Sequence, residues 1–106
     1  MTTEEEQIIQ KELRPFMNSA MQLSTYPVKN RKKLIMLWYL CHKLDERTYT
    51  EREINALLNG WALFNDPATL RREMYNKFLL DREDDGSSYR AVADIPPLAE
   101  FIAKYV

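Results

Sequence analysis

Apolar residues recur at helical spacing in five runs of this chain, and in one further stretch they alternate with polar residues. Ile9, Leu13, Phe16, Met17 and Ala20 line one face of the first run. Leu34, Leu37, Trp38, Cys41 and Leu44 do the same over residues 29–44, and Ile54, Leu57 and Leu58 over 51–59. Leu70, Met74 and Phe78 form an i, i+4, i+8 stripe, and Leu98, Phe101, Ile102 and Tyr105 form a last one. Each stripe predicts an amphipathic helix with that face buried. In the sixth stretch Leu80, Arg82, Tyr89 and Ala91 fall on one face of a strand pair and Asp81, Glu83, Ser88 and Arg90 on the other, the period of a half-buried sheet.

The polar punctuation predicts where these elements begin and end. Thr2 or Thr3 can cap the first helix, with Glu4, Glu5 and Glu6 in the turn where negative charge suits the dipole. Pro15 lacks an amide donor and its ring crowds the carbonyl of Lys11, so a kink or break is expected there. Gln22 to Tyr26, ahead of Pro27, reads as extended chain or loop. Tyr49 can form a brief strand. Thr50-Glu51-Arg52-Glu53 is a capping box, and Gly60 is expected to end that helix in a left-handed conformation. After the short apolar link Trp61-Ala62-Leu63-Phe64-Asn65, Asp66 caps the next helix with Pro67 at its first position. Asp85-Gly86 predicts a two-residue type I′ hairpin, which requires positive φ at both positions. That turn pairs Asp84 with Ser87, Glu83 with Ser88, Arg82 with Tyr89 and Asp81 with Arg90. Arg90 is then expected to bond Asp81, and Arg82 to lie along Tyr89. Pro96-Pro97 launches the last helix.

Helix, brief strand, helix, turn, helix, hairpin is the order of a winged helix. The predicted fold is mainly α with a small β-hairpin, a winged-helix-like helix-turn-helix core with flanking N- and C-terminal helices. It is read as a single domain over residues 1–106: an N-terminal arm and entry segment over 1–27, the core over 28–92, and a C-terminal helix over 93–106. A chain of 106 residues has room for one core only.

Charge changes this picture in its distribution more than in its total. The net charge is −1, from 15 basic and 16 acidic residues, and imposes no field that calls for nucleic acid. Residues 29–47, however, hold six basic residues against two acidic, and residues 81–106 hold three against six. Asn30, Arg31, Lys32 and Lys33 crowd the first turn of their helix, where positive charge is unfavourable by a few tenths to ~1 kcal/mol per residue. Either that charge serves another purpose or it is tolerated at the surface. One cysteine allows no internal disulfide, and neither a signal-like run nor a membrane span is evident, so a cytoplasmic setting is expected.

Catalytic chemistry finds little to use. Cys41 and His42 are adjacent on a helix and point about 100° apart, so they cannot form a dyad. Cys41 falls on the buried stripe, and a lone histidine with a lone cysteine does not make a zinc site. Two glycines cannot build a phosphate-cradling loop. Asp81, Asp84 and Asp85 suit a solvated turn. The chain is read as non-catalytic, with no metal and no cofactor.

Binding readings survive. With Leu70, Met74 and Phe78 inward, Arg71, Arg72, Tyr75 and Asn76 face outward, and Arg and Asn are the residues that read guanine and adenine edges. Lys32 and Lys33 could add phosphate contacts if they share that face. The competing use of Arg71 and Arg72 is structural ion pairing, and the acidic hairpin tip Glu83-Asp84-Asp85 argues against a phosphate-lined partner. Trp61, Leu63 and Phe64 are the candidate protein-interaction residues, since exposed apolar patches mark contact surfaces.

The run Tyr49-Thr50-Glu51-Arg52-Glu53-Ile54-Asn55, with Asp66, Thr69-Leu70-Arg71-Arg72-Glu73, Leu79-Leu80-Asp81-Arg82, Asp85-Gly86 and Tyr89-Arg90, resembles a bacterial domain-of-unknown-function family, number 2087. Leu23, Tyr26-Pro27, Lys29 and Arg31-Lys32-Lys33 resemble its entry segment, so the resemblance covers roughly residues 16–91. Where that family tends to have an Asp-Gly turn before the entry segment, this chain has Asn18-Ser19-Ala20-Met21. The resemblance implies a winged-helix-like plan, an association with helix-turn-helix transcription regulators, and no known catalysis. The function expected is a non-catalytic module in transcription regulation, contacting DNA through the helix that carries Arg71 and Arg72. The alternative is a protein-interaction or homodimerisation module without nucleic acid. DNA and another regulatory protein both stay open as partners, and a membrane does not.

Overall fold

The computed structural model describes residues 1–106, and its elements follow the punctuation of the sequence closely. The Thr2 hydroxyl accepts from the Glu5 amide and the Glu5 carboxylate accepts from the Thr2 amide, opening α1 (Thr3–Ile8) with a complete capping box. The helix then widens into a π turn over Ile9–Leu13 and tightens into a 3₁₀ turn over Arg14–Phe16, where Pro15 sits. The expected break is therefore spread over two turns, with Ile9 and Leu13 buried. Ala20 does not continue the stripe. It is exposed in a turn held by the Asn18 side chain, which accepts from the amides of Ala20 and Gln22. That turn has no glycine, and Met21 itself takes the left-handed conformation, φ 61°.

The entry segment is sewn to the link after the second core helix. The Leu23 amide donates to Trp61 and the Leu63 amide donates to Leu23, forming a parallel bridge between Leu23 and Ala62, both buried. This explains an apolar link where a turn was expected to be polar: it is a seam of the core.

The main helix, α2 (Asn30–His42), has the expected stripe buried and also buries Ile35, Met36 and Leu40. It is covered on several sides, by the π turn, by α4 (Pro67–Asn76) and by α5 (Leu98–Tyr105). Trp38 is fully buried, its indole N–H donating to the Pro96 carbonyl at 2.8 Å. The Glu5 carboxylate also accepts from the Leu98 amide at 2.8 Å, which ties α1 to the start of α5. Burial opposes ionisation of Glu5, but the Leu98 and Thr2 amides outweigh it and hold its carboxyl below the usual range.

Strand β1 (Tyr49–Thr50) leads into α3 (Glu51–Trp61), whose Thr50–Glu53 capping box forms as expected. Gly60 does not terminate α3. The helix runs through it to Trp61, because the chain continues directly into the extended seam at Ala62 rather than reversing. Asp66 caps α4 through the Thr69 amide, with Pro67 first.

Helix α4 stops earlier than its stripe suggests. Leu70 and Met74 are buried, but Phe78 is 68% exposed and left-handed, φ 60°. The Phe78 amide donates to Tyr75 and the Leu79 amide to Met74, the paired bonds of a Schellman cap, so Phe78 occupies the position that usually falls to glycine. Leu79, one residue on, supplies the buried side chain instead.

The hairpin consists of β2 (Leu80–Arg82) and β3 (Ser88–Ala91), with β1 on the other side of β3, giving an antiparallel sheet in the order β1-β3-β2. The register is the expected one: Asp81 opposite Arg90 and Arg82 opposite Tyr89. The turn chemistry differs. Only Gly86 is left-handed, φ 73°, and its amide donates to Glu83, which makes Asp84 and Asp85 the central residues of the tight turn. A four-residue loop centred on the same point preserves the pairing. Asp81 and Arg90, although opposite, make no ion pair, and Arg82 lies over Tyr75, 4.7 Å from the ring centre, rather than along Tyr89. The whole is a mainly helical domain with one small sheet, and no helix is long and apolar enough to cross a membrane.

Candidate nucleic-acid interface

A helix advances about 100° per residue, so burying Leu70 and Met74 decides where every other side chain of α4 points. Arg72 and Asn76 project directly away from the core, and both are exposed. Arg71 and Tyr75 lie on the flank toward the hairpin. Glu73 and Lys77 lie on the opposite flank, joined to each other at 2.6 Å.

The two arginines of this helix have separate fates. Arg71 is drawn down to α3: it pairs with Glu51 at 2.9 Å, bonds Asn55, and keeps only 12% of its side chain exposed. Its guanidinium also lies 5.4 Å from the centre of the Tyr89 ring. Arg72 bonds no carboxylate and is open to solvent, as is Asn76. The structural use of the pair therefore holds for Arg71 alone.

The hairpin brings a third arginine to this flank. Arg82 stacks on Tyr75 and has no acidic partner within ion-pair distance. Arg71, Arg72, Tyr75, Arg82 and Tyr89 together line one recess of about 70 Å³. Sequence reasoning missed Arg82 and Tyr89 because it assigned both to contacts within the hairpin. The signal available was the shortness of the connection: three residues separate α4 from β2, so the strand must start under the last turn of the helix.

The lysine cluster does not join this site. Glu12 accepts from Arg31 through both carboxylate oxygens at 2.7 Å and from Lys32 at 2.8 Å. These bonds hold the Glu12 carboxyl down at about 2, against the partial desolvation that opposes them. Lys33 lies over the Tyr26 ring, 5.6 Å from its centre, and Tyr26 packs edge-on against Phe64. Burial, and after it the charges of Glu73 and Asp66, push the ionisation of the Tyr26 hydroxyl up, so both carboxylates lie within Coulombic reach of it. Lys32 is thus held by Glu12 and Lys33 by Tyr26, and neither lines the recess beside Arg72.

Of the candidate interaction residues, Trp61 is half-buried with Lys43 over its ring at 5.2 Å, and Phe64 is half-buried against Tyr26. Leu63 alone is largely exposed. Cys41 is fully buried, donates to the Leu79 carbonyl, and has its thiol pushed up to about 12 by burial, far from a reactive thiolate.

These features define a mainly helical domain with a recess between a helix and a hairpin lined by three arginines, two of them without a carboxylate partner. The model of the bacterial family described as an uncharacterized protein conserved in bacteria (DUF2087) matches residues 22–91, and the chain belongs to that family. The match runs from the entry segment to the end of β3, leaving the N-terminal arm and α5 outside it. No curated protein and no solved structure matches the chain.

Proposed function

We propose that this chain is a non-catalytic, winged-helix-like module of transcription regulation that contacts duplex DNA through the outward face of α4. The order α2, β1, α3, α4, β2, β3, with β3 central in the sheet, supports the winged-helix reading. The observation that carries the DNA reading is the pair Arg72 and Asn76, exposed side by side one turn apart and bonded to nothing in the protein, while Arg31, Lys32 and Arg71 all have carboxylate partners. Arg and Asn in this position have the donors and acceptors that base edges require. With few open cations, the contact neutralises few phosphates, and affinity depends on salt only moderately, with a slope of about −2 in log–log terms.

The test is binding to a random-sequence duplex pool across a salt series. Arg72→Ala combined with Asn76→Ala is expected to reduce affinity by about tenfold to a hundredfold. Binding that the double variant leaves intact, or no binding by the unaltered chain at low salt, sinks this reading.

A second reading has its own support. Glu83, Asp84 and Asp85 are all exposed at the hairpin tip and repel phosphate, while Phe78 and Tyr75 expose aromatic surface nearby. Aromatic and arginine side chains together are the composition of protein contact centres. On that reading the module pairs with a second copy or another regulator. Light scattering over a concentration series is expected to show a dimer that Phe78→Ser weakens, and a monomer throughout removes the self-association form of the idea.

A further inference from the structure

We infer that the recess between α4 and the hairpin is a seat for one phosphoryl group of a nucleic-acid backbone, with Arg72 and Arg82 as its two open guanidinium arms. The inference rests on the reading of α4 as a DNA-contacting face and adds what that face holds and which hairpin residue takes part. Three guanidinium groups line one small recess, and only Arg71 has its charge offset, by Glu51. The local balance around the recess is therefore two positive charges without a partner, which matches a single oxyanion. Asp66 lies within Coulombic reach of Arg72 without bonding it. Asp81 and Glu83 flank Arg82 along the chain, but neither lines the recess or pairs with Arg82; Asp81 lines the adjoining hollow with Tyr75 and Asn76.

The geometry suits this ligand in three further ways. Arg71 is fixed by Glu51 and Asn55, so one wall of the site is rigid before anything binds. Arg82 is laid across Tyr75, which orders its long side chain and lowers the entropy lost when the guanidinium engages an anion. The recess, about 70 Å³ and open to solvent on one side, has room for one tetrahedral oxyanion. Planar guanidinium forks recognise phosphate bidentately, and two of them from different elements fix its position as well as its charge. A phosphate held here would lie beside Arg72, one helical turn from Asn76, fixing the register of α4 on the duplex.

The experiment uses the full chain and inorganic phosphate as probe, at constant ionic strength with chloride as control, followed by NMR at the arginine Nε–H groups. The same protein is tested for displacement of a bound duplex by phosphate. Phosphate is expected to shift the Arg72 and Arg82 signals, chloride is not, and Arg82→Gln is expected to weaken phosphate binding about tenfold or more. Arg90→Gln, which removes an exposed arginine from the other sheet face, is expected to change neither phosphate nor duplex binding. No shift at Arg82, or equal weakening by Arg90→Gln, overturns the seat. In that case duplex binding still lost with Arg72→Ala and Asn76→Ala leaves the DNA reading standing without it. Phosphate bound at Arg82 with no duplex bound at any salt overturns the inference as a nucleic-acid seat and removes the DNA reading with it, and points to a phosphorylated protein as the source of the group. Phosphate that both shifts Arg82 and displaces duplex supports the inference in full.

Discussion

Trp38→Ala is expected to cost the fold about 3–5 kcal/mol, the range for removing a fully buried aromatic side chain. The indole is 1% exposed at the centre of α2, its ring packed against His42 at 3.8 Å between centres. Its N–H is the partner of the Pro96 carbonyl, just before α5. Truncation therefore opens a cavity and also leaves a carbonyl without its donor, and both effects fall on the helix against which the arm, α4 and α5 all pack. A domain of this size has about 5–15 kcal/mol of stability in total, so the variant loses a large share of it. Trp38→Phe separates the two contributions, because it retains most of the apolar volume and loses the hydrogen bond, with an expected cost of about 1–2 kcal/mol. Urea titrations followed by circular dichroism give both values. An alanine variant that loses less than a Phe variant would contradict the packing of α2 described above.

That helix was legible from the chain, as were most boundaries, because each rests on chemistry confined to a few neighbouring residues. Thr50 with Glu53, and Asp66 with Pro67, need no knowledge of the rest of the molecule to be recognised as helix starts. The hairpin register was legible for a different reason: a loop centred between Asp85 and Gly86 yields the same pairing whether it has two residues or four. What the chain did not reveal depends on distant neighbours. Gly60 has every local feature of a helix terminator, yet the seam between Leu23 and Ala62, a contact across some forty residues, sets where α3 ends. Phe78 fits its apolar stripe, but Leu79 takes the buried place, so the helix ends two residues before Phe78 and the aromatic is left outside.

The same distinction governs the candidate site. Arg71, Arg72 and Tyr75 were identifiable from helical periodicity alone. Which of the two arginines is open was not, because that is decided by Glu51 and Asn55 on another helix. Arg82 was assigned to Tyr89 as its cross-strand neighbour, although the nearer ring in space is Tyr75. The Lys29–Lys33 cluster is the sharpest case. Its crowding at a helix N-terminus left both a second use and plain tolerance open, and the charge has an internal use: Arg31 and Lys32 grip Glu12, which the family match does not cover.

That grip makes the last prediction, an acid sensitivity located at one residue. Glu12 is depressed from 4.5 to about 2 by its hydrogen bonds to Arg31 and Lys32, so its folded value lies below its unfolded one. The unfolded chain therefore binds this proton more readily. The resulting stabilisation is fully present above about pH 5 and is lost as pH falls through 4.5 toward 2. The full shift corresponds to at most ~3 kcal/mol. Glu12 is well shielded, at 16% exposed, but Arg31 is 48% exposed, so solvent screening brings the expected value nearer ~1–2 kcal/mol. Glu5, Glu53, Asp66 and Asp85 are also held below their ordinary values, so the pH profile of the unaltered protein alone cannot isolate Glu12. The difference between that protein and Glu12→Gln can, since the other carboxylates contribute equally to both. Measured by urea unfolding from pH 7 to pH 2, the difference is expected to be constant down to about pH 5 and then to shrink toward zero. A difference that stays level across the acid range would mean that Glu12 stabilises the arm by packing alone, and that the ion pairs to Arg31 and Lys32 contribute nothing.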